Sequence, residues 1–90
     1  EEAVQLLERL GRQRPDDNEI LVALGNVYRS RKQYAQAAEI YGRAIARTEE
    51  GDSSLWPLYY YRGTSYERAK EWDKAEADLK KALSLVPDTQ

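Results

Sequence analysis

The sequence predicts an all-α fold, an α-solenoid of antiparallel helix pairs, and three observations carry the prediction. Apolar residues recur at helical spacing, breakers fall between the periodic stretches, and the second half of the 90-residue chain repeats the first. Gly25 and Gly63, like Ala37 and Ala75, are separated by the same offset of 38 residues. Such a period is typical of repeat arrays, in which each unit buries its apolar face against its neighbours.

The first two helices are marked by a proline and a group of capping residues. Leu7 and Leu10 belong to the apolar face of a first helix, which Pro15 ends. Residues 16–18 then supply cap-type side chains and negative charge, which suit the N-terminus of a second helix. The apolar stripe predicted for this second helix consists of Leu21, Leu24, Gly25 and Tyr28.

The third helix is followed by a loop over residues 49–54, which contains Gly51 and several capping residues. The second and third helices are expected to form a hairpin. Small residues would let these two helices approach closely, with Gly25 facing Ala37. The apolar face of the third helix consists of Tyr34, Ala37, Tyr41, Ala44 and Ile45.

The fourth helix is predicted from about Leu55 to Ala69, where Pro57 is tolerable because it lies in the first turn. The fifth helix ends at Pro87, and Gly63 is expected to face Ala75 across this second hairpin. The face of the fifth helix consists of Trp72, Ala75, Leu79, Ala82 and Leu83.

Charged residues on the fifth helix are predicted to form a solvated outer face. Glu76 and Lys80 stand at i, i+4, and Asp78 and Lys81 at i, i+3, the spacings of exposed ion pairs. Because positive and negative residues alternate here, the segment does not suit phosphate binding.

Composition excludes several kinds of site. The chain has no His, Cys or Met, and its net charge is −2. Without imidazole or thiol groups a conventional zinc site is excluded, and catalysis would have to rest on carboxylates, Lys, Tyr or hydroxyls. We predict no catalytic residues, no metal, no cofactor and no enzyme. No basic stripe indicates nucleic acid, and no apolar run approaches the roughly 20 residues that span a bilayer. Because the chain opens on Glu1 and lacks Met, we expect a fragment of a larger protein.

The repeated residues resemble the tetratricopeptide repeat, whose unit is about 34 residues long. The resemblance divides residues 1–90, as one domain, into the second half of a repeat (1–15) and two full repeats (18–51 and 56–89), about two and a half in all. The first motif is Leu21-x-x-Leu24-Gly25-x-x-Tyr28 followed by Ala37-x-x-x-Tyr41-x-x-Ala44. The second is Tyr59-x-x-Arg62-Gly63-x-x-Tyr66 followed by Ala75-x-x-x-Leu79-x-x-Ala82.

The junction between the two copies departs from the family pattern. Glu49 stands in place of a closing proline, and the next copy starts about four residues late. Three aromatic residues near this junction, Trp56, Tyr60 and Tyr61, have no core position in the motif. The other six, predicted to lie in the core, are Tyr28, Tyr34, Tyr41, Tyr59, Tyr66 and Trp72.

The resemblance implies a superhelix whose concave face is lined by the first helix of each pair. Tetratricopeptide arrays generally hold an extended peptide or a partner helix there, so we predict a protein–protein interaction scaffold. Trp56 and Tyr61 are candidate aromatic anchors in this groove, although both could instead pack on the turn or on adjoining repeats. The predicted groove residues are Val22, Asn26, Arg29, Tyr60, Thr64, Glu67 and Arg68.

Other functions stay open from the sequence. Asn26 matches the asparagine with which related domains grip a peptide carboxylate, but Val22, Pro57 and Tyr61 occupy places where that clamp needs Lys or Arg. The chain could also be an architectural spacer, or a self-associating segment, of a larger enzyme or envelope assembly. A repeat that reads single-stranded RNA is disfavoured by the acidic balance. The resemblance suggests bacterial cytoplasm or periplasm, and it identifies no partner.

Overall fold

A computed structural model describes residues 2–87, which form five α-helices and no strand. Each helix packs on its neighbours in the sequence, and the molecule measures 40 × 28 × 22 Å. The predicted all-α fold is therefore confirmed, while Glu1 and the last two residues of the predicted repeat 56–89 lie outside the described part. The helices are α1 (Glu2–Gln13), α2 (Asn18–Ser30), α3 (Tyr34–Ala46), α4 (Leu55–Arg68) and α5 (Trp72–Leu85).

The turns inside the two helix pairs have the same geometry. Lys32 after α2 and Lys70 after α4 both adopt the left-handed conformation, with φ of 64° and 66°. In the first turn, the Gln33 amide donates to the Tyr28 carbonyl at 2.9 Å and the Lys32 amide to the Arg29 carbonyl at 2.9 Å. This is the Schellman pattern, which satisfies the last carbonyls of the helix and reverses the chain.

Side-chain hydrogen bonds from two residues stabilise the start of α2. The Asp17 side chain caps the helix by accepting a hydrogen bond of 3.0 Å from the Glu19 amide. Asn18 instead reaches across to the end of α3, where its Nδ2 donates to the Ala44 carbonyl at 3.2 Å and to Thr48 Oγ1 at 2.9 Å. Through these bonds the α2 N-terminus is held against the C-terminus of its hairpin partner.

The core lies between α2, α3 and the first half of α4. Tyr41 is fully buried at its centre, and burial raises the pKa of its hydroxyl to about 12. The buried cluster comprises Leu21, Leu24, Ala37, Ile40, Tyr41, Ala44 and Leu58.

The two motif glycines face large side chains, which corrects the predicted pairing with alanines. A Cβ on Gly25 would lie 2.6 Å from Tyr41 Cε1, and one on Gly63 would lie 3.0 Å from Leu79 Cδ2. Ala37 and Ala75 are buried but are not the nearest atoms to either glycine. The glycine therefore makes room for the ring or branched side chain one turn further along the partner helix.

The prediction that six aromatic residues lie in the core was right for Tyr41 and wrong for Trp72. Trp72 is 61% exposed and borders an open depression together with Glu67 of α4. Tyr28, Tyr34, Tyr59 and Tyr66 are partly buried.

A buried ion pair joins α4 to α5, which overturns the prediction that Asp78 forms a solvated pair with Lys81. The Asp78 carboxylate is buried and accepts two hydrogen bonds from Arg62, from Nε at 2.7 Å and from Nη2 at 2.8 Å. This bidentate contact raises the pKa of the Arg62 guanidinium. Glu76 and Lys80 do form the predicted exposed pair, at 3.3 Å.

The junction between the two hairpins is an eight-residue connection over 47–54. Gly51 has a φ of 91°, and the Asp52 carboxylate accepts hydrogen bonds of 2.9 Å from both the amide and the hydroxyl of Ser54. These bonds lower the pKa of the Asp52 carboxyl and organise the residues directly before α4.

Candidate functional site: a groove between the second and fourth helices

A groove runs between α2 and α4, and its first part is an apolar pocket. The pocket has a volume of about 550 Å³ and lies beside the N-terminal halves of both helices. Val22 and Tyr61, which are half-buried, form its walls together with Pro57. The lining residues are Asn18, Glu19, Val22, Ala23, Asn26, Ser54, Pro57, Leu58 and Tyr61.

The second part of the groove is a polar pocket beside the C-terminal halves of the same helices. It has a volume of about 390 Å³ and shares Asn26 with the apolar pocket. The two pockets therefore adjoin and form one groove. The residues lining the polar pocket are Asn26, Arg29, Ser30, Tyr34, Tyr60, Thr64 and Arg68.

The two helices run parallel along the groove. Residues near the N-termini of α2 and α4 line the apolar pocket, and residues near the C-termini of the same two helices line the polar pocket. Positions 38 residues apart therefore lie at the same level: Glu19 and Pro57 both line the apolar pocket, and Asn26 and Thr64 both line the polar one. The repeat thus places equivalent faces of two helices on opposite walls.

Aromatic contacts connect the groove to the buried core. The Tyr41 and Tyr61 rings lie 5.6 Å apart, and the Arg29 guanidinium lies 5.0 Å from the Tyr61 ring centre. The Tyr41 hydroxyl donates a hydrogen bond to Asn26 Oδ1. Because Tyr41 is fully buried, it anchors both Asn26 and Tyr61 to the core.

The cations of the polar pocket have aromatic rather than acidic neighbours. Arg29 stacks on the Tyr61 and Tyr41 rings, and the Arg68 guanidinium lies 5.9 Å from the Tyr34 ring centre. Within residues 2–87, neither arginine takes part in an ion pair. The pocket therefore carries positive charge that the described chain does not neutralise.

Most of the predicted site residues lie together, and two do not. Val22, Asn26, Arg29, Tyr60, Thr64, Arg68 and the candidate anchor Tyr61 all line the groove. Glu67 lies on the other side of α4, in a depression it shares with Trp72 and Leu79. Trp56, the other candidate anchor, is half-buried and lines neither part of the groove.

Several lining residues were missed by sequence reasoning. Ser54 and Leu58 reach the apolar pocket because the 47–54 connection sets the position of α4. Asn18 and Glu19 do so from the first turn of α2. The sequence contained one signal for Ser54 and Leu58: the second copy starts about four residues late, which shifts the start of α4 relative to the family pattern.

None of the helices described is both long and apolar enough to cross a membrane.

Comparison with known proteins supports the motif reading along the chain. Two family models, each described as tetratricopeptide repeat, match residues 1–54 and 56–89. Neither the curated proteins nor the solved structures yielded a match. Tetratricopeptide repeats generally mediate protein–protein interaction and are typically non-catalytic scaffolds.

Proposed function

We propose, since the chain belongs to the tetratricopeptide repeat family, that it is a scaffold whose groove between α2 and α4 binds an extended peptide of a partner protein. The observation that carries this proposal is the continuous groove in which an apolar and a polar pocket meet at Asn26. Ligand sites in proteins typically combine an apolar lining with a few fixed polar groups.

The dimensions of the groove fit a short extended segment. It follows α2 from Asn18 to Ser30, a helical length of about 18 Å. An extended chain covers this length with about five residues. The walls are held in place by Tyr41 and its neighbours, so binding requires little reorganisation of the groove.

Binding can be tested with peptides selected from a random display library on the immobilised chain. Asn26→Ala combined with Tyr60→Ala should abolish binding of the selected peptides, because the pair removes contacts from both walls of the polar pocket. Glu76→Ala combined with Lys80→Ala is the matched control, since this exposed pair lies on α5 outside the groove. Unchanged binding by the groove variant, with equal helicity, would exclude the groove as the site.

A second candidate function is association through the outer face of α5. Trp72 is 61% exposed and Leu83 77% exposed, and both border a depression of about 380 Å³. Exposed apolar residues of this size are typical of a surface that another helix covers. Sedimentation equilibrium tests this function: Leu83→Ser should abolish concentration-dependent dimerisation, and a wild-type chain that stays monomeric would contradict it.

A further inference from the structure

The polar pocket contains an unbalanced pair of arginines. Arg29 on α2 and Arg68 on α4 line it from opposite walls, and Asn26, Ser30 and Thr64 also line it. No carboxylate lines this pocket, and neither arginine forms an ion pair with any residue in the 2–87 range. The Ser30 and Thr64 hydroxyls already donate to the backbone carbonyls of Val27 and Tyr61. The two guanidinium groups and the Asn26 amide group are the donors suited to an anion.

Aromatic stacking keeps the two guanidinium groups oriented. Arg29 lies over the Tyr61 ring at 5.0 Å, and Arg68 over the Tyr34 ring at 5.9 Å. A guanidinium that rests on a ring by its face still presents its N–H groups at the edge, where a carboxylate binds. The stacking therefore reduces the side-chain entropy lost on binding an anion.

The helix dipole explains only part of this arrangement. Both arginines lie in the last turn of their helices, where a cation is favourable. An arginine on any face of the last turn would interact favourably with the helix dipole. It does not account for two arginines from different helices lining the same pocket.

The opposite end of the groove has a different character. The apolar pocket is walled by Val22, Pro57 and Tyr61, and its one charged lining residue is Glu19. From Val22 to Arg29 the distance along α2 is about 10 Å, which equals about three residues of extended chain. The groove thus presents an apolar site and a cationic site at a defined separation.

We infer that the groove recognises a peptide in which an Asp or Glu side chain follows or precedes an apolar side chain by about three residues. The apolar side chain occupies the first pocket, and the carboxylate binds between Arg29 and Arg68. This inference rests on the proposed peptide-binding function and adds the class of sequence that is bound.

The test is a selection of random heptapeptides, displayed with linkers at both ends so that no free terminus is present. The wild-type chain should enrich sequences with Asp or Glu two to four positions from an apolar residue. The Arg29→Gln, Arg68→Gln double variant should lose that acidic preference. Arg43→Gln is the control, because Arg43 is exposed on α3 and lies outside the groove.

Affinity measurements on one enriched, terminally capped peptide complete the test. Replacing its acidic residue by the amide should weaken binding about tenfold, the effect of one charge-assisted contact. Against the double variant the same replacement should change binding less than twofold. Arg68→Gln alone, at an exposed position, gives an intermediate loss and guards against unfolding of the double variant.

The outcomes separate the two proposals. Groove-dependent peptides without acidic residues would overturn the inference and leave the proposed function intact. Absence of any groove-dependent peptide would overturn both. The inference would also be overturned if the peptide with an uncapped C-terminus bound more tightly than the capped one, or if a labelled oligouridylate bound more tightly and the arginine variants abolished that binding.

Discussion

Gly25→Ala should destabilise the chain although alanine is the better helix former. The added Cβ would lie 2.6 Å from Tyr41 Cε1 and 2.9 Å from Cδ1 and Cζ. These distances are far below van der Waals contact, and the ring is fully buried, so it cannot swing away into solvent.

The size of the effect follows from two opposing terms. Overpacking a core costs about 1–3 kcal/mol, and we expect the upper end because three ring atoms are involved. The gain in helix propensity from Gly to Ala offsets about 1 kcal/mol. The net loss of about 2 kcal/mol should lower the melting temperature by about 8–16 °C for a chain of this size.

Gly11→Ala is the matched control for this measurement. A Cβ on Gly11 would meet Ile20 Cγ2 at 3.9 Å, an ordinary contact, so only the gain in propensity remains. Urea unfolding followed by circular dichroism should therefore show opposite signs for the two variants. Equal stabilisation by both would refute the close packing of α2 on Tyr41.

A double variant locates the cause of the loss. Leu79 is the counterpart of Tyr41 in the second copy, so Tyr41→Leu should be accommodated by this type of hairpin. Combined with Gly25→Ala it should cost at least about 1 kcal/mol less than the sum of the single variants, because the clashing ring is absent. Strict additivity would place the strain elsewhere.

Three further predictions concern stability. Asp78→Asn should cost about 3 kcal/mol in urea unfolding because it leaves the Arg62 cation without its partner, and replacing both residues by Leu should recover part of that loss. Lys32→Gly should stabilise by about 0.5–1 kcal/mol by relieving its left-handed conformation, whereas Lys80→Gly, inside α5, should destabilise by about 1 kcal/mol. The raised pKa of Tyr41 predicts stability that is constant with respect to this group below pH 10 and falls by about 3 kcal/mol as the pH rises to 12, because the unfolded state ionises first; Tyr41→Phe should remove this step in alkaline unfolding curves.

The groove was largely predictable because its residues follow a helical stripe. Val22 and Asn26 on α2, and Tyr60 and Thr64 on α4, stand beside the buried stripe at regular spacing. Such a stripe is a property of one helix, since each residue rotates by about 100° around the axis. Their collection on facing walls then follows from the repeat.

Glu67 shows where the stripe argument fails. It is the counterpart of Arg29, which faces the next helix pair along the array. The corresponding side of α4 carries Glu67, which lies beside Trp72. Among the described helices, no further helix pair packs on that side. Equivalent positions in a repeat have equivalent surroundings only when both have the same neighbours.

The polar contacts between helices could not be predicted from the sequence. Asp78 has a suitable exposed partner at Lys81 by spacing alone, yet it pairs with Arg62 on another helix. Asn18 similarly bonds to the end of α3 rather than capping α2. The choice between a local and a distant partner depends on how closely two helices approach.

The sequence by itself determined five helices, their order and the repeat that makes them a tetratricopeptide array, because periodicity, caps and breakers act within one helix and its turns. Only the tertiary structure decided that Gly25 faces Tyr41, that Arg62 pairs with Asp78, and that Arg29 and Arg68 line one pocket. Those pairings depend on the distance and angle between helices, which the packing of the whole core sets.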